Sequence, residues 1–504
     1  MGRIVALLCL PLFYSCLNAG ISGGGGNNGG SVPNEMITLW ETTSSHESVT
    51  LPLIDSYTKL DSTVIPLNYN FTVDWGDGSR PDQVTSYNDS DRTHTYANPG
   101  RYLVKITGLV ESWHFSNAGD KDNLLEVREL GDMGWKSLAR AFKGCSNLTV
   151  FRGGDTSKVT SMLEMFWLAT NVEPEIGHWD VSNVETFRIM FRDTERANPD
   201  VRNWDMRNAV EIDAMFYSAV AANPDVSQWD VSNIEGFSHL FFCDSGKNCI
   251  ADPDVSNWDT SKARLMHEMF RNANADPDVS GWDVSGVNSF NRMFAFADNA
   301  DPDVSSWNMS AATDLSMMFW GAANANPDVS NWNTSNVTNL ELMFASADRA
   351  NPDVSNWNVS KVTNMRALFS NMNANPDVSS WDTSKVENFS GIFTSSTNAQ
   401  PNTLNWDTSS ATNMFQMFIG ATSANPATIN WDFTLVTNFV GVFTSSGISN
   451  QNYSDFLIGV ESTNSQTNRQ VDSSASYFSG AAATSRSQLV SDGWVINDGG
   501  EITP

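Results

Sequence analysis

Tryptophan recurs along this chain at positions 179, 204, 229, 258, 282, 307, 332, 357, 381, 406 and 431. A phenylalanine follows each one twelve residues later, from Phe191 to Phe443. The step between tryptophans is 25 residues, shortened to 24 twice and lengthened to 29 once, where Cys243 to Cys249 is inserted. Phe142 and Phe166 extend the phenylalanine column upstream, with Gly154 standing where a tryptophan would fall. A period held this strictly over eleven units marks a solenoid, in which each unit buries its apolar face only against its neighbours.

Within a unit the apolar positions switch spacing. Val201, Trp204 and Met206 stand three and two apart, the pattern of a short strand with Asn203 and Asp205 on its outer side. Val337, Leu340, Met343 and Phe344 follow the 3–4 spacing of a helix. Three units place a Glu three residues after a Ser (Ser182 and Glu185, Ser232 and Glu235, Ser384 and Glu387), which reads as a capping box opening that helix. Asn-Pro-Asp then turns the chain back. The expected architecture is an α/β solenoid with one short strand and one short helix per 25-residue repeat. Strands stack about 4.8 Å apart and helices pack 8–10 Å apart, so the array is expected to curve with its strands on the concave side.

The flanks read differently. From Met36 short alternating runs between turn residues predict β structure, with strands at Phe71–Trp75 and Tyr102–Thr107. Residues 111–141, including Leu124 to Ala141, are expected to cap the first repeat. After Phe443 the period fails, and Tyr453–Gly459 and Ala481–Val490 predict helices ahead of a closing strand in Gly493–Gly500. Residues 447–504 are then the C-terminal cap that a solenoid needs over its last apolar layer.

At Met1–Ser15, Arg3 and the apolar run Ile4–Tyr14 have the form of a secretory signal, too short to span a bilayer. Phe13-Tyr14-Ser15-Cys16 resembles a bacterial lipobox, which would make Cys16 a lipid-anchored residue; ordinary cleavage near Ala19 is the alternative. The glycine-rich stretch that follows, within residues 16–34, is a flexible tether. The loop bracketed by Cys243 and Cys249 predicts a local disulfide and therefore an exported protein.

Two resemblances organise these segments. Val73-Asp74-Trp75-Gly76-Asp77-Gly78-Ser79, His94-Thr95-Tyr96 and Pro99-Gly100-Arg101-Tyr102 resemble a polycystic-kidney-disease (PKD) type domain, which implies an immunoglobulin-like β-sandwich over residues 35–110. Asp74, Asp77 and His94 are expected to build its turn rather than a catalytic pair. The Asp-Val-Ser-Asn-Trp and Met-Phe landmarks over residues 142–446 resemble the BspA-like leucine-rich-repeat family. That resemblance implies a bacterial cell-surface protein, often discussed as an adhesin, and leaves the ligand open.

The net charge of −29 excludes the basic face that nucleic acid requires. It also leaves an N-terminal lipid anchor as the route to a membrane. The six histidines, at 46, 94, 114, 178, 239 and 267, show no metal-ligand spacing, and no nucleophile elbow, P-loop or dinucleotide fingerprint occurs. The expectation is a monomeric, non-catalytic surface protein that binds an extracellular protein or glycan; the alternative is a structural or Ca²⁺-stabilised spacer. Candidate ligand-facing residues are Asn203, Asp205, Gln228, Asp230, Asn257, Asp259, Asn331 and Asn356. No organic cofactor is expected. The post-proline column Asp200, Asp225, Asp254, Asp278, Asp303, Asp328, Asp353 and Asp377 is the candidate Ca²⁺ ladder, because in-register carboxylates should raise their own pKa values or recruit cations. The competing reading is that each Asp caps its own turn. The post-tryptophan column interchanges Asp with Asn at 308, 333 and 358, so charge is dispensable there.

Overall fold

The computed structural model describes residues 32–503; the expected signal sequence, Cys16 and most of the tether lie outside them. Strands β1 (Glu35–Thr42), β2 (Glu47–Thr50), β3 (Ser56–Thr58), β4 (Val64–Pro66), β5 (Tyr69–Asp74), β6 (Asp82–Val84), β7 (Thr93–Tyr96) and β8 (Gly100–Val110) form the N-terminal unit. β9 (Leu124–Glu129), β10 (Val150–Arg152) and β11 (Glu173–Glu175) carry the chain into the array. One sheet runs β11-β10-β9-β1-β8-β5-β6, antiparallel from β6 to β9 and parallel beyond. The cap expected at 111–141 is thus part of a continuous sheet, and the N-terminal unit hands its edge directly to the first repeats. The β3–β4 hairpin also touches the array, through Tyr57 on Thr160 at 2.9 Å and Lys59 on Glu185 at 2.5 Å.

The array is a β-solenoid, and the molecule has about 16 turns in all. The helix expected in every repeat is absent. In its place the chain zigzags, with a left-handed residue two positions before each core Phe and, except at Phe241 where Cys243 follows, two after it: Ile189 (φ 63°) and Asp193 (φ 56°) flank Phe191, and Leu342 (φ 55°) and Ser346 (φ 56°) flank Phe344. A left-handed residue every fourth position cannot continue an α-helix. It turns alternate amides toward the next turn, so the N–H groups of Phe187, Ile189, Phe191 and Asp193 donate to the carbonyls of Glu211, Asp213, Met215 and Tyr217 at 2.9–3.0 Å. Each such bond contributes about 1 kcal/mol net, which offsets the 1–2 kcal/mol that a non-glycine left-handed residue costs. The Ser-Glu pairs cap nothing helical: Glu185 N–H donates to the previous turn's Thr160 carbonyl.

Without helices the reason for curvature disappears, since nothing in a turn needs 8–10 Å. The core confirms a near-uniform rise. Phe142 to Phe443 form one unbroken ring stack with centroids 5.6–6.1 Å apart. Across the core, stacked tryptophans such as Trp332 and Trp357 stand 6.3 Å apart. The array tryptophans also place their one donor on a backbone carbonyl of the preceding turn: Trp229 Nε1 bonds the Val201 carbonyl at 2.9 Å, and Trp357 Nε1 bonds Val329 at 3.1 Å.

The C-terminal cap matches its expected helices. β12 (Phe439–Phe443) pairs in parallel with β13 (Gln470–Ser473), which pairs with β15 (Val495–Asn497); β14 (Tyr477–Phe478) pairs with β16 (Glu501–Ile502). α1 (Asn450–Thr463) opens on a Ser449 cap, and α2 (Ala481–Ser491) packs beside it. Asp472 ends the ladder by accepting the Gly441 N–H at 3.1 Å.

Candidate functional site

The acidic columns are explained by turn geometry. Each post-proline Asp accepts the N–H two residues on: Asp225 from Ser227, Asp278 from Ser280, Asp353 from Ser355, at 3.1–3.3 Å, and the Ser hydroxyl adds a second bond at 2.6–2.8 Å. Asp254, Asp303 and Asp328 repeat both bonds, Asp377 the first, and Asp200 pairs with Arg202 at 2.8 Å. Donation by the Ser hydroxyl holds the carboxyls of Asp225, Asp278, Asp303, Asp328 and Asp353 below the ordinary range. This reverses the expected rise, because one hydroxyl and one amide at bonding distance outweigh solvent-screened neighbours. Among the described residues no group of three or more His, Cys, Asp or Glu is placed to hold a metal ion.

The post-tryptophan column makes the same turn. Asp230 accepts from Ser232, Asp259 from Ser261 and Asn358 from Ser360, at 3.1–3.2 Å. Only an Oδ1 acceptor is required, which is why Asn substitutes freely. Asp205 is held at 2.5 Å by Arg207. Asn203, Gln228, Asn257, Asn331 and Asn356 form an exposed polar row beside these turns. Cys243 and Cys249 form the expected disulfide. In the N-terminal unit, Asp77 accepts the Ser79 N–H and contacts His94, each at 2.9 Å, as a turn rather than a reactive pair.

A third self-capping column lies on the opposite edge of the turn, at the residue that forms the one β-bridge per repeat. Asn339, Asn364, Asn388 and Asn413 each accept the N–H two residues later, at 3.0–3.1 Å, and Thr186 and Ser289 do so with hydroxyls. The self-cap is missing at three consecutive members of the column: Glu211, whose carboxylate accepts from the Thr186 hydroxyl of the previous turn instead, and Gly236 and Leu265, which carry no acceptor at all. With no acceptor on Gly236, the Ser238 N–H takes Asp213 of the previous turn at 3.0 Å. A methyl group at Gly236 would collide with that carboxylate.

The failure opens a cavity of about 560 Å³ between the turns. His239 and His267 meet edge to face in it, 4.8 Å apart. Ser238 Oγ lies 3.0 Å from His267 Nδ1. Burial pushes the Asp213 carboxyl up and the His239 imidazole down, so both favour the uncharged form more than free side chains do. Leu265 is 48 % exposed and, with Ile189, gives the cavity an apolar rim. Beside it runs a ladder of side chains one residue after the core phenylalanines. Lys143 covers Trp167 at 3.7 Å, Arg192 covers Tyr217 at 4.0 Å, Tyr217 stacks on Phe242 at 4.3 Å, and Arg271 covers Phe242 at 5.2 Å. Spacing alone hid this site: His239 and His267 are 28 residues apart, close to the 29-residue step of that one turn. Counting histidines against the repeat register would have found the pair.

One family model matches the chain in three tandem stretches, residues 136–249, 242–357 and 343–456; its description is "Mycoplasma protein of unknown function, DUF285". No curated protein and no solved structure matches the chain.

Proposed function

From the premise that this chain belongs to the DUF285 family, we propose that it is an exported, non-catalytic surface protein whose solenoid binds an extracellular protein or glycan. The observation that carries the reading is the division of labour among polar groups. Asp and Ser columns are engaged inside each turn, whereas the Asn203 to Asn356 row and the cavity at Gly236 present polar groups outward. Repetition of weak polar contacts supplies avidity without a single tight pocket. The BspA-like repeat identity, with adhesion as its role, is part of this proposal, as is a PKD-like spacer over residues 35–110.

Export is supported by the Cys243–Cys249 disulfide. The anchor is assigned to Cys16, with secretion as the outcome if that residue is not lipidated. Among the described residues no helix is long and apolar enough to cross a membrane. The protein acts as a monomer. The self-capped turns favour one second reading, a structural spacer with no ligand. Saturable binding of the purified full chain to immobilised glycans or matrix proteins, weakened when Asn203, Asn257, Asn331 and Asn356 are replaced by Lys, supports the binding role. Absence of saturable binding on both surfaces selects the spacer. Palmitate labelling that persists in Cys16→Ala removes the anchor.

A further inference from the structure

We infer that the cavity at Gly236 is a binding site for one neutral pyranose unit of a glycan, an assignment that rests on the surface-binding reading above. The inference starts from what the cavity offers. Arg188 and Arg192 bring two positive charges, Glu211 and Asp213 two negative ones, and Ser238 and the two imidazoles add donors and acceptors. An anionic ligand would face both carboxylates and a cationic one both guanidinium groups, each at a desolvation cost. A hydroxyl is donor and acceptor at once, so a polyhydroxylated neutral ring satisfies all of these groups together. Ile189 and Leu265 provide the apolar wall that the C–H face of such a ring needs. The volume of about 560 Å³ lies within the range of about 300–1,000 Å³ common for small-ligand sites.

The site is also independent of the scaffold. The faces of Tyr217 are already covered by Arg192 and Phe242, so the ladder stiffens one wall instead of stacking on the sugar. Asp213 reaches the cavity only because Gly236 lacks a side chain. The short capping residues used elsewhere in this column, Asn, Ser, Thr and Asp, would fill the space and return the Ser238 amide to its own turn.

The test uses the full chain with three variants: Gly236→Asn, which copies Asn364; Asp213→Asn, which keeps the acceptor for Ser238 and removes the charge; and Asn331→Lys on the opposite edge. A panel of immobilised neutral, sialylated, uronic-acid and sulfated oligosaccharides is screened first. Methyl hexopyranosides are then titrated while the ring-proton NMR signals of the six histidines are followed. The expected result is binding of neutral glycans, shifts at His239 and His267, and a loss of at least tenfold in Gly236→Asn and Asp213→Asn with thermal midpoints no lower than wild type. Neutral-glycan binding that survives both cavity variants within twofold but falls in Asn331→Lys overturns the cavity and leaves the surface-binding reading standing. Preference for acidic glycans, or binding to matrix proteins alone, overturns the neutral-sugar assignment. Binding to nothing on either surface overturns both.

Discussion

The two halves of the array differ in the column immediately after the core phenylalanine, although the same inter-turn hydrogen bonds run through both. In the N-terminal half it holds Trp167, Arg192, Tyr217, Phe242 and Arg271; in the C-terminal half it holds Trp320, with no cation in the column beside it, and then Ala345, Ser370, Thr394, Ile419 and Thr444. The inter-turn bond from the core Phe is 3.1 Å in both, from Phe216 to Leu240 and from Phe344 to Leu368. The ring stack passes through both without a break. The solenoid therefore does not need the cation–aromatic ladder. Charge follows the same division: Arg349, Lys361, Arg366 and Lys385 are the only Lys and Arg residues between 301 and 446. A feature that one half builds and the other omits, on a shared backbone, is free to serve a ligand.

The largest effect that can break this comparison lies in the core. Phe216→Ala and Phe344→Ala should each destabilise the chain by about 3–5 kcal/mol, equally in the two halves, as read by denaturant unfolding. A loss confined to one half would show that the backbones are not equivalent. Tyr217→Ala should cost about 1–2 kcal/mol through its lost guanidinium and ring contacts, whereas Ser370→Ala should move stability by a few tenths at most. Equal losses would erase the distinction drawn from the ladder.

The smallest effects concern the capped turns, which both halves share. Asp353→Asn keeps the Oδ1 acceptor and should leave the thermal midpoint unchanged, while Asp353→Ala lowers it; Asp225 in the other half should behave alike. The pH dependence has a defined sign. These carboxyls titrate below their ordinary value in the fold, so their contribution is complete above the unfolded pKa of about 3.9 and is lost as pH falls through the lowered folded values. Asp213 has the opposite sign, because burial raises its folded pKa. Its ionised form lowers stability at neutral pH, so Asp213→Asn should raise the midpoint at pH 7 and change it little near pH 3.

Much of this was readable from residue spacing. The Trp and Phe columns gave the period, the core and both array ends, and Asp-Gly and Asn-Pro-Asp marked the turns. The helix was misread because Val337, Leu340, Met343 and Phe344 all face the core in the zigzag just as they would in a helix. Left-handed positions filled by Glu164, Ile189 or Leu342 leave no trace in sequence. The available signal was the appearance of glycine in those same two columns, at Gly391 and Gly441 before the core Phe and Gly321 and Gly420 after it. The cavity depended on three-dimensional register: Gly236 matters only because Asn, Ser or Thr caps the turn at most other repeats, and because Asp213 lies one turn away.

Thermal unfolding of Gly236→Asn at neutral pH tests most directly whether the cavity is a departure the fold does not require. The substitution restores the capping acceptor present at Asn364 and Asn388 and displaces Asp213 from its half-buried position. The midpoint should rise above that of wild type. A midpoint that falls would mean that Gly236 is needed for folding, and the cavity would be a by-product of packing instead of a site.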